Sequence, residues 1–233
     1  MVPGLGLGPE DWDPTVRGLE RRGVEARRMA VATLPGYGEA VGVADPVDPR
    51  GAAHRLVDTA LPAGERHVLL GHSSSCQVVV HAAVLTPERV AGLVLVGPTT
   101  DARGATWPRL ARRWLATALH ETPRQLPSLV RQYRRTGLLH MLRVMDTARH
   151  DRIDKTLREV RCPVHVLRGP HDRIAPPDWC TALGPSVTLP RGGHMVPLTD
   201  GDLVASAAHR FGEAVARSSP APCGRTDGTP QRA

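Results

Sequence analysis

Three short stretches of the chain carry residues able to act together on a carbonyl group. The first is Gly71-His72-Ser73-Ser74-Ser75, which follows the apolar run of residues 67–70 and precedes a segment of helical period. A strand that turns sharply into a helix holds its central residue in a strained backbone, so Ser73 is expected to project its hydroxyl above the carboxyl edge of a sheet. The amide of Ser74, at the helix N-terminus, then faces any oxyanion formed on a carbonyl that Ser73 attacks. The second stretch, Gly169-Pro170-His171-Asp172, follows the run 163–168, and the third, Gly192-Gly193-His194, follows the run 187–189. A serine hydroxyl is a poor nucleophile without a base, and the base needs a partner that fixes its tautomer. His194 and Asp172 are the residues for those roles. Alone, the serine-rich turn is also readable as a phosphate nest or a plain helix cap; the two later loops favour the nucleophile. Asp101, at the end of the run 90–96, is a rival acid, read instead as a loop or N-cap residue.

These loops need a frame that opens them on one edge. Short Val- and Leu-rich runs at residues 24–32, 67–70, 90–96, 163–168 and 187–189 alternate with helical patterns, as in a mostly parallel sheet with helices on both faces. Asp13-Pro14 reads as an N-cap and first helical residue, with Gly23 as the stop, giving a helix over residues 14–22. A second helix is expected over residues 78–85, and a last one carries Val204, Ala208, Phe211 and Val215 at helical spacing. Residues 101–160 show helical patterns only (107–119, 126–134 and 138–144), which predicts a small helical cap inserted between two strands. The expected organisation is 1–100 as the N-terminal part of the core, 101–160 as the cap, 161–216 as the C-terminal part and 217–233 as a disordered tail. Leu110, Trp114, Leu126, Leu129, Val130 and Tyr133 are expected on the underside of the cap. Trp107, Leu110, Trp114, Leu129 and Tyr133 are the expected substrate pocket.

The GHSSS turn, the GPHD segment with the following Pro176, the GGH loop and the opening VPGLGLGPEDW together resemble the α/β-hydrolase superfamily, over residues 2–216. The resemblance implies an α/β-hydrolase fold with Ser73, Asp172 and His194 as a catalytic triad in the family's chain order of nucleophile, acid and base. It also implies that Leu5, after Pro3-Gly4, donates an oxyanion-hole N–H beside that of Ser74. LPGYG at residues 34–38 resembles the loop after the family's fourth strand. Ser75 stands where the family has a glycine, at a position that requires a small side chain. The family's sheet begins with strands one to three, whereas this sequence opens at the loop after strand three. The fold is therefore expected to be N-terminally truncated. Residues 24–32 and 67–70 either lack the partner between them or close on each other in a smaller sheet. The chain as written is expected to be marginally stable or inactive, and an upstream extension of about 25–35 residues is expected to restore both properties.

The activity implied is cleavage of a carboxylic ester or related acyl bond (ester, lactone or thioester) through an acyl-enzyme, with no cofactor and no metal. Carbon–carbon bond hydrolysis and acyl transfer share the constellation. A serine at the elbow argues against epoxide hydrolases and haloalkane dehalogenases, which use an aspartate there. A non-catalytic, hydrolase-like binding scaffold is the reading from outside the enzymes.

Composition narrows the setting. The 233 residues are 41% hydrophobic and 23% charged, which excludes fibrous and disordered classes. The 30 basic against 23 acidic residues give a net charge of +7. Lys155 is the sole lysine and asparagine is absent, so the arginine excess reflects a biased composition. The cap arginines are read as solvated helix faces, and the partner expected is a small molecule, with neither nucleic acid nor membrane. Cys76, Cys162, Cys180 and Cys223 lack zinc spacing and fit a reducing cytosol, and no signal peptide or membrane span is visible. The expected location is cytoplasmic.

Overall fold

A computed structural model describes residues 1–218. In chain order the elements are α1 (Asp13–Glu20), β1 (Leu34–Pro35), β2 (Gly38–Glu39), α2 (Pro49–Ala60), β3 (His67–His72), α3 (Ser75–Leu85) and β4 (Val90–Val96). Then follow α4 (Trp107–Ala118), α5 (Leu126–Thr136), α6 (Leu138–Ala148), α7 (Ile153–Thr156), β5 (Val164–Arg168), α8 (Pro177–Leu183), β6 (Ser186–Thr188), α9 (Val196–Thr199) and α10 (Gly201–Ser218). The tail expected from residue 217 instead gives residues 217 and 218 to α10, and its remainder lies outside the described residues.

β3, β4, β5 and β6 form a parallel sheet in that order, with Leu70 opposite Val94, Leu95 opposite Val166 and Leu167 opposite Val187. In β3, β4 and β5 alternate residues face opposite sides and both sides are apolar, so these strands are covered on both, while the edge strand β6 leaves Val187 and Thr188 exposed. Leu69, Leu93, Leu95 and Val166 meet residues of α2, α3 and α8 in one core. Leu70, Val94, Val96 and Leu167 meet Trp12, Val204 and Ala208 in the other, where α1 packs on α10. The helical segment between β4 and β5 contributes residues to the carboxyl end of this sheet.

Residues 24–32 do not form the expected strand. Ala26–Arg28 is a turn of 3-10 helix, and only Ala30 and Ala32 enter a ladder, which they form with Met1. The amino group of Met1 donates to the Ala30 carbonyl at 2.7 Å, and Ala32 N donates to the Met1 carbonyl at 2.8 Å. On the other side Val2 N donates to the Leu70 carbonyl at 2.9 Å, and Val2 bridges Gly71 in parallel sense. Met1 and Val2 thus lie between residues 30–32 and β3. A ladder needs a partner along its length, and here the partner spans two residues, so the rest of 24–32 adopts a turn and irregular backbone.

Asp13 is the first residue of α1 rather than its cap. Trp12 holds the N-cap position, with no side-chain bond to the helix. Gly23 does stop the chain there, at φ +85°, and Val24 N reaches back to the Leu19 carbonyl at 3.1 Å. Among the described residues no helix is long and apolar enough to cross a membrane.

Candidate active site

Ser73 sits between β3 and α3 with φ +58°, a left-handed conformation costly to a residue with a Cβ. The turn is held from both sides. Ser73 N donates to the Val96 carbonyl at 2.9 Å, and the Ser73 carbonyl accepts from Cys76 N and Thr99 N at 3.2 and 3.3 Å. A Cβ on Gly71 would stand 2.9 Å from the Cys76 backbone, so the strand meets the helix only through a glycine. Ser75, at the family's glycine position, is fully buried and uses its hydroxyl: Oγ accepts from His72 N at 2.8 Å and lies 2.9 Å from the carbonyls of both Val2 and His72. Its single proton serves one of those carbonyls at a time.

The acid and base loops come together at the carboxyl ends of β5 and β6. His194 Nδ1 is 2.8 Å from Asp172 Oδ2, and the other carboxylate oxygen accepts the amides of Ile174 and Ala175 at 2.9 and 3.0 Å. Burial opposes the charge on Asp172, but the His194 ring and these hydrogen bonds outweigh it and hold the carboxyl below its usual value. With Nδ1 engaged, His194 Nε2 is buried and has no partner among the described residues. Arg168 anchors the acid loop through carbonyls, donating to those of Ala175 at 2.9 Å and Asp172 at 2.8 Å. Asp101 is engaged elsewhere, accepting from Arg103 and, at 2.8 Å, from Arg113.

Leu5, Ser73 and His194 line one cavity of about 160 Å³, together with Trp107, Trp114, Leu138, Met141, Leu142 and Met145. In the opening loop, Gly4 N donates to Asp11 Oδ2, Gly6 N to the Gly36 carbonyl, Leu7 N to the Gly4 carbonyl and Gly8 N to Gln132 Oε1. Leu5 N donates to no group among the described residues, and neither does Ser74 N. Two unused backbone donors therefore flank the elbow.

Three of the five expected pocket residues lie elsewhere. Leu110 is buried away from the cavity, and neither Leu129 nor Tyr133 lines it; Tyr133 lies against Gly6. For Leu129 and Tyr133 the cause is the orientation of α5. Gln132 accepts from Gly8 N at 2.7 Å and Thr136 donates to the Gly6 carbonyl at 3.2 Å, so the helix buries its polar side against backbone groups of the opening loop. Leu126 and Val130, expected beneath the cap, are exposed. The cavity wall comes instead from α6, whose Met141 and Met145 the sequence did not single out.

Three further residues, Gly97, Glu121 and Asp11, shape the site without having been singled out, and His72 of the elbow acts with them. Gly97, at φ +56°, leaves room for the acid–base pair, because a Cβ there would lie 3.0 Å from both Asp172 Oδ2 and His194 Nδ1. Glu121, just after α4, accepts the amides of His194 and Met195 at 2.6 and 3.0 Å and is itself held by Gln125 at 2.9 Å. Asp11 accepts from Gly4 N at 3.1 Å and pairs with His72 at 2.7 Å. His72, which precedes the nucleophile, also reaches the His194 carbonyl at 3.0 Å.

The model of the alpha/beta hydrolase family matches residues 1–207, and the chain belongs to that family. Solved structures share the fold at low identity. A hydrolase from Oleispira antarctica superposes with a TM-score of 0.72 at 13% identity, covering 89% of this chain and 88% of that one. A lipase-esterase related protein from Clostridium acetobutylicum gives 0.71 at 12%, covering 90% and 92%. A thermophilic esterase from Thermogutta terrifontis gives 0.64 at 20%, covering 92% of each. No curated protein matches the chain in sequence.

Proposed function

We propose that the protein is a serine hydrolase that cleaves a carboxylic ester or a related acyl bond through an acyl-enzyme. The observation that carries this reading is the placing of Ser73, in a left-handed elbow, in the same cavity as a His194 whose Nε2 is unpartnered and whose Nδ1 is fixed by Asp172. Ser73 Oγ attacks the carbonyl carbon while His194 Nε2 takes its proton, and the Asp172 carboxylate stabilises the imidazolium that forms. The oxyanion of the tetrahedral intermediate accepts from Leu5 N and Ser74 N, which have no other duty. His194 then returns the proton to the departing oxygen or sulfur. Water, deprotonated by the same nitrogen, releases the acid and restores Ser73.

The cavity is small and lined by thioethers, indoles and leucines, which suits a short apolar acyl or alcohol group. Structural neighbours described as esterases point the same way. The free thiols of Cys76, Cys162 and Cys180 fit work in a reducing cytosol. The test is fluorophosphonate labelling followed by intact-mass analysis. One adduct, absent from Ser73→Ala, is expected. Equal labelling of that variant overturns the nucleophile, and failure of the folded wild type to label favours the binding-scaffold reading.

A further inference from the structure

The helices over the sheet end present apolar residues to solvent as well as to the core. α5 buries Gln132 and Thr136 and exposes Leu126 and Val130, at 56% and 53%. On α4, Leu115 and Leu119 are 69% and 79% exposed, while the polar Thr117 is buried. A helix whose apolar stripe faces outward has a second surface to meet. That stripe is continuous with the cavity rim, because Trp107, Trp114, Leu138 and Leu142 both line the cavity and stand open to solvent.

The charge of the same face selects what covers it. From residue 107 to residue 148, across α4, α5 and α6, the chain has eight arginines and two acidic residues, Glu121 and Asp146. Arg112 lies three residues before Leu115 and seven before Leu119, and Arg134 lies four after Val130, so cations and apolar side chains share these helix faces. Arg112, Arg124, Arg134 and Arg143 are exposed and form no ion pair among the described residues. A second copy would bring two such arginine fields together, which is repulsive. Residues 219–233 contain no Leu, Ile, Val, Met or aromatic residue with which to fill the stripe.

We propose that the outer face of α4, α5 and α6 docks on an anionic lipid bilayer, with the cavity rim set against the lipid. Arginines flanking an exposed apolar stripe, with tryptophans at its edge, match the two attractions of such a surface, headgroup charge and apolar burial. The corollary that substrate enters from the lipid rests on the serine hydrolase reading; the docking does not.

Docking is therefore tested on Ser73→Ala protein, by sedimentation with phosphatidylcholine vesicles prepared with and without phosphatidylglycerol. Retention on the phosphatidylglycerol vesicles is expected to be about 10-fold or more above that on phosphatidylcholine alone and to fall as salt is raised. Leu115→Asp/Leu119→Asp should lose it at least about 10-fold, and Arg112→Ser/Arg134→Ser about 25-fold, taking about fivefold per arginine. Unchanged thermal unfolding shows that the variants fold. No retention by the Ser73→Ala protein, or equal retention by the Leu115→Asp/Leu119→Asp variant, overturns the proposal. So does a concentration-dependent dimer that this variant dissolves while vesicles bind nothing, since the face then belongs to a second copy. Docking with a wild type that fails to label leaves the surface standing and removes the hydrolase reading; labelling without docking does the reverse.

Discussion

Asp11 and His72 form a fully buried pair, 2.7 Å between carboxylate and ring, that ties three parts of the site together. Asp11 holds the opening loop through Gly4 N, His72 precedes Ser73 in the elbow, and His72 Nε2 donates to the carbonyl of His194. With Nε2 donating to a carbonyl and Nδ1 facing a carboxylate, both ring nitrogens carry protons in the charged form. Burial works against that charge, but the Asp11 carboxylate and the hydrogen bonds to Asp11 and the His194 carbonyl raise His72 above its ordinary value of 6.5. The titratable groups around the ring are Asp11, Asp172 and, 5.2 Å away, the His194 ring.

A proton held more tightly in the folded state than in the unfolded one stabilises the fold at low pH. The contribution of His72 is complete below about pH 6.5 and is lost as pH climbs through its raised value. The thermal midpoint of the wild type is thus expected to fall on the alkaline side of 6.5, and that of His72→Gln to fall less. Parallel profiles would remove His72 as the cause. Asp11→Ala removes the carboxylate that holds the His72 proton and leaves Gly4 N without its acceptor, and should cost about 1–3 kcal/mol.

Asp172, and not Asp101, is expected to be the acid. Asp172→Asn should lower turnover by a factor on the order of 10⁴, the loss this replacement causes in a serine-protease triad. Asp101→Asn breaks contacts to Arg103 and Arg113 and should cost stability, about 1–3 kcal/mol, at near wild-type turnover. Steady-state rates and urea unfolding of the two variants decide; a crippled Asp101→Asn beside an active Asp172→Asn reverses the assignment.

The loops that carry the chemistry were legible because each follows a Val- and Leu-rich run that joins the parallel sheet, and the neighbouring run 90–96 is the observed β4 to the residue. What the sequence hid is set by contacts distant along the chain. Residues 24–32 have the composition of a strand and lack a long enough partner. Asp48-Pro49 begins α2, with Asp48 capping Gly51 N at 2.9 Å, yet the same dipeptide at Asp13-Pro14 was the one read as a cap. The local signal was present in both places, and packing chose between them. Gly97 and Glu121 act on residues more than 70 positions away, and no spacing rule announces such a contact. Helical periodicity gave the stripes of α4 and α5, but not which side faces inward, because Gln132 and Thr136 meet backbone groups of a loop more than 120 residues earlier.

Glu121 is a positioning residue for the base. Its carboxylate accepts from the His194 and Met195 amides, so Glu121→Ala leaves two N–H groups without their acceptor and frees the loop that aims the imidazole. Misplacement of a catalytic group by about 1 Å costs up to about 10²-fold. A fall in kcat of about 10- to 100-fold at little-changed KM is expected, with slower fluorophosphonate labelling. Glu121→Gln keeps an acceptor oxygen and should recover most of the rate. Equal losses in both variants, or a loss confined to KM, would show that the contact is structural only.

Gly97 is the position where one added methyl group should separate the acid–base pair from the rest of the fold. Its amide donates to the Leu167 carbonyl at 2.8 Å, which fixes the backbone at the end of β4. Its left-handed φ costs a residue with a Cβ about 1–2 kcal/mol. A Cβ built there meets Asp172 Oδ2 and His194 Nδ1 at 3.0 Å, closer than ordinary van der Waals contact, and both partners belong to a hydrogen bond of 2.8 Å with little slack. The pair must shift as a unit, carrying His194 Nε2 out of line with Ser73. Gly97→Ala is therefore expected to lower the labelling rate about 10- to 100-fold while the protein still unfolds cooperatively, a few degrees below the wild type. Labelling at the wild-type rate in a folded Gly97→Ala protein would mean that the pair tolerates the displacement, and that the glycine serves only the turn.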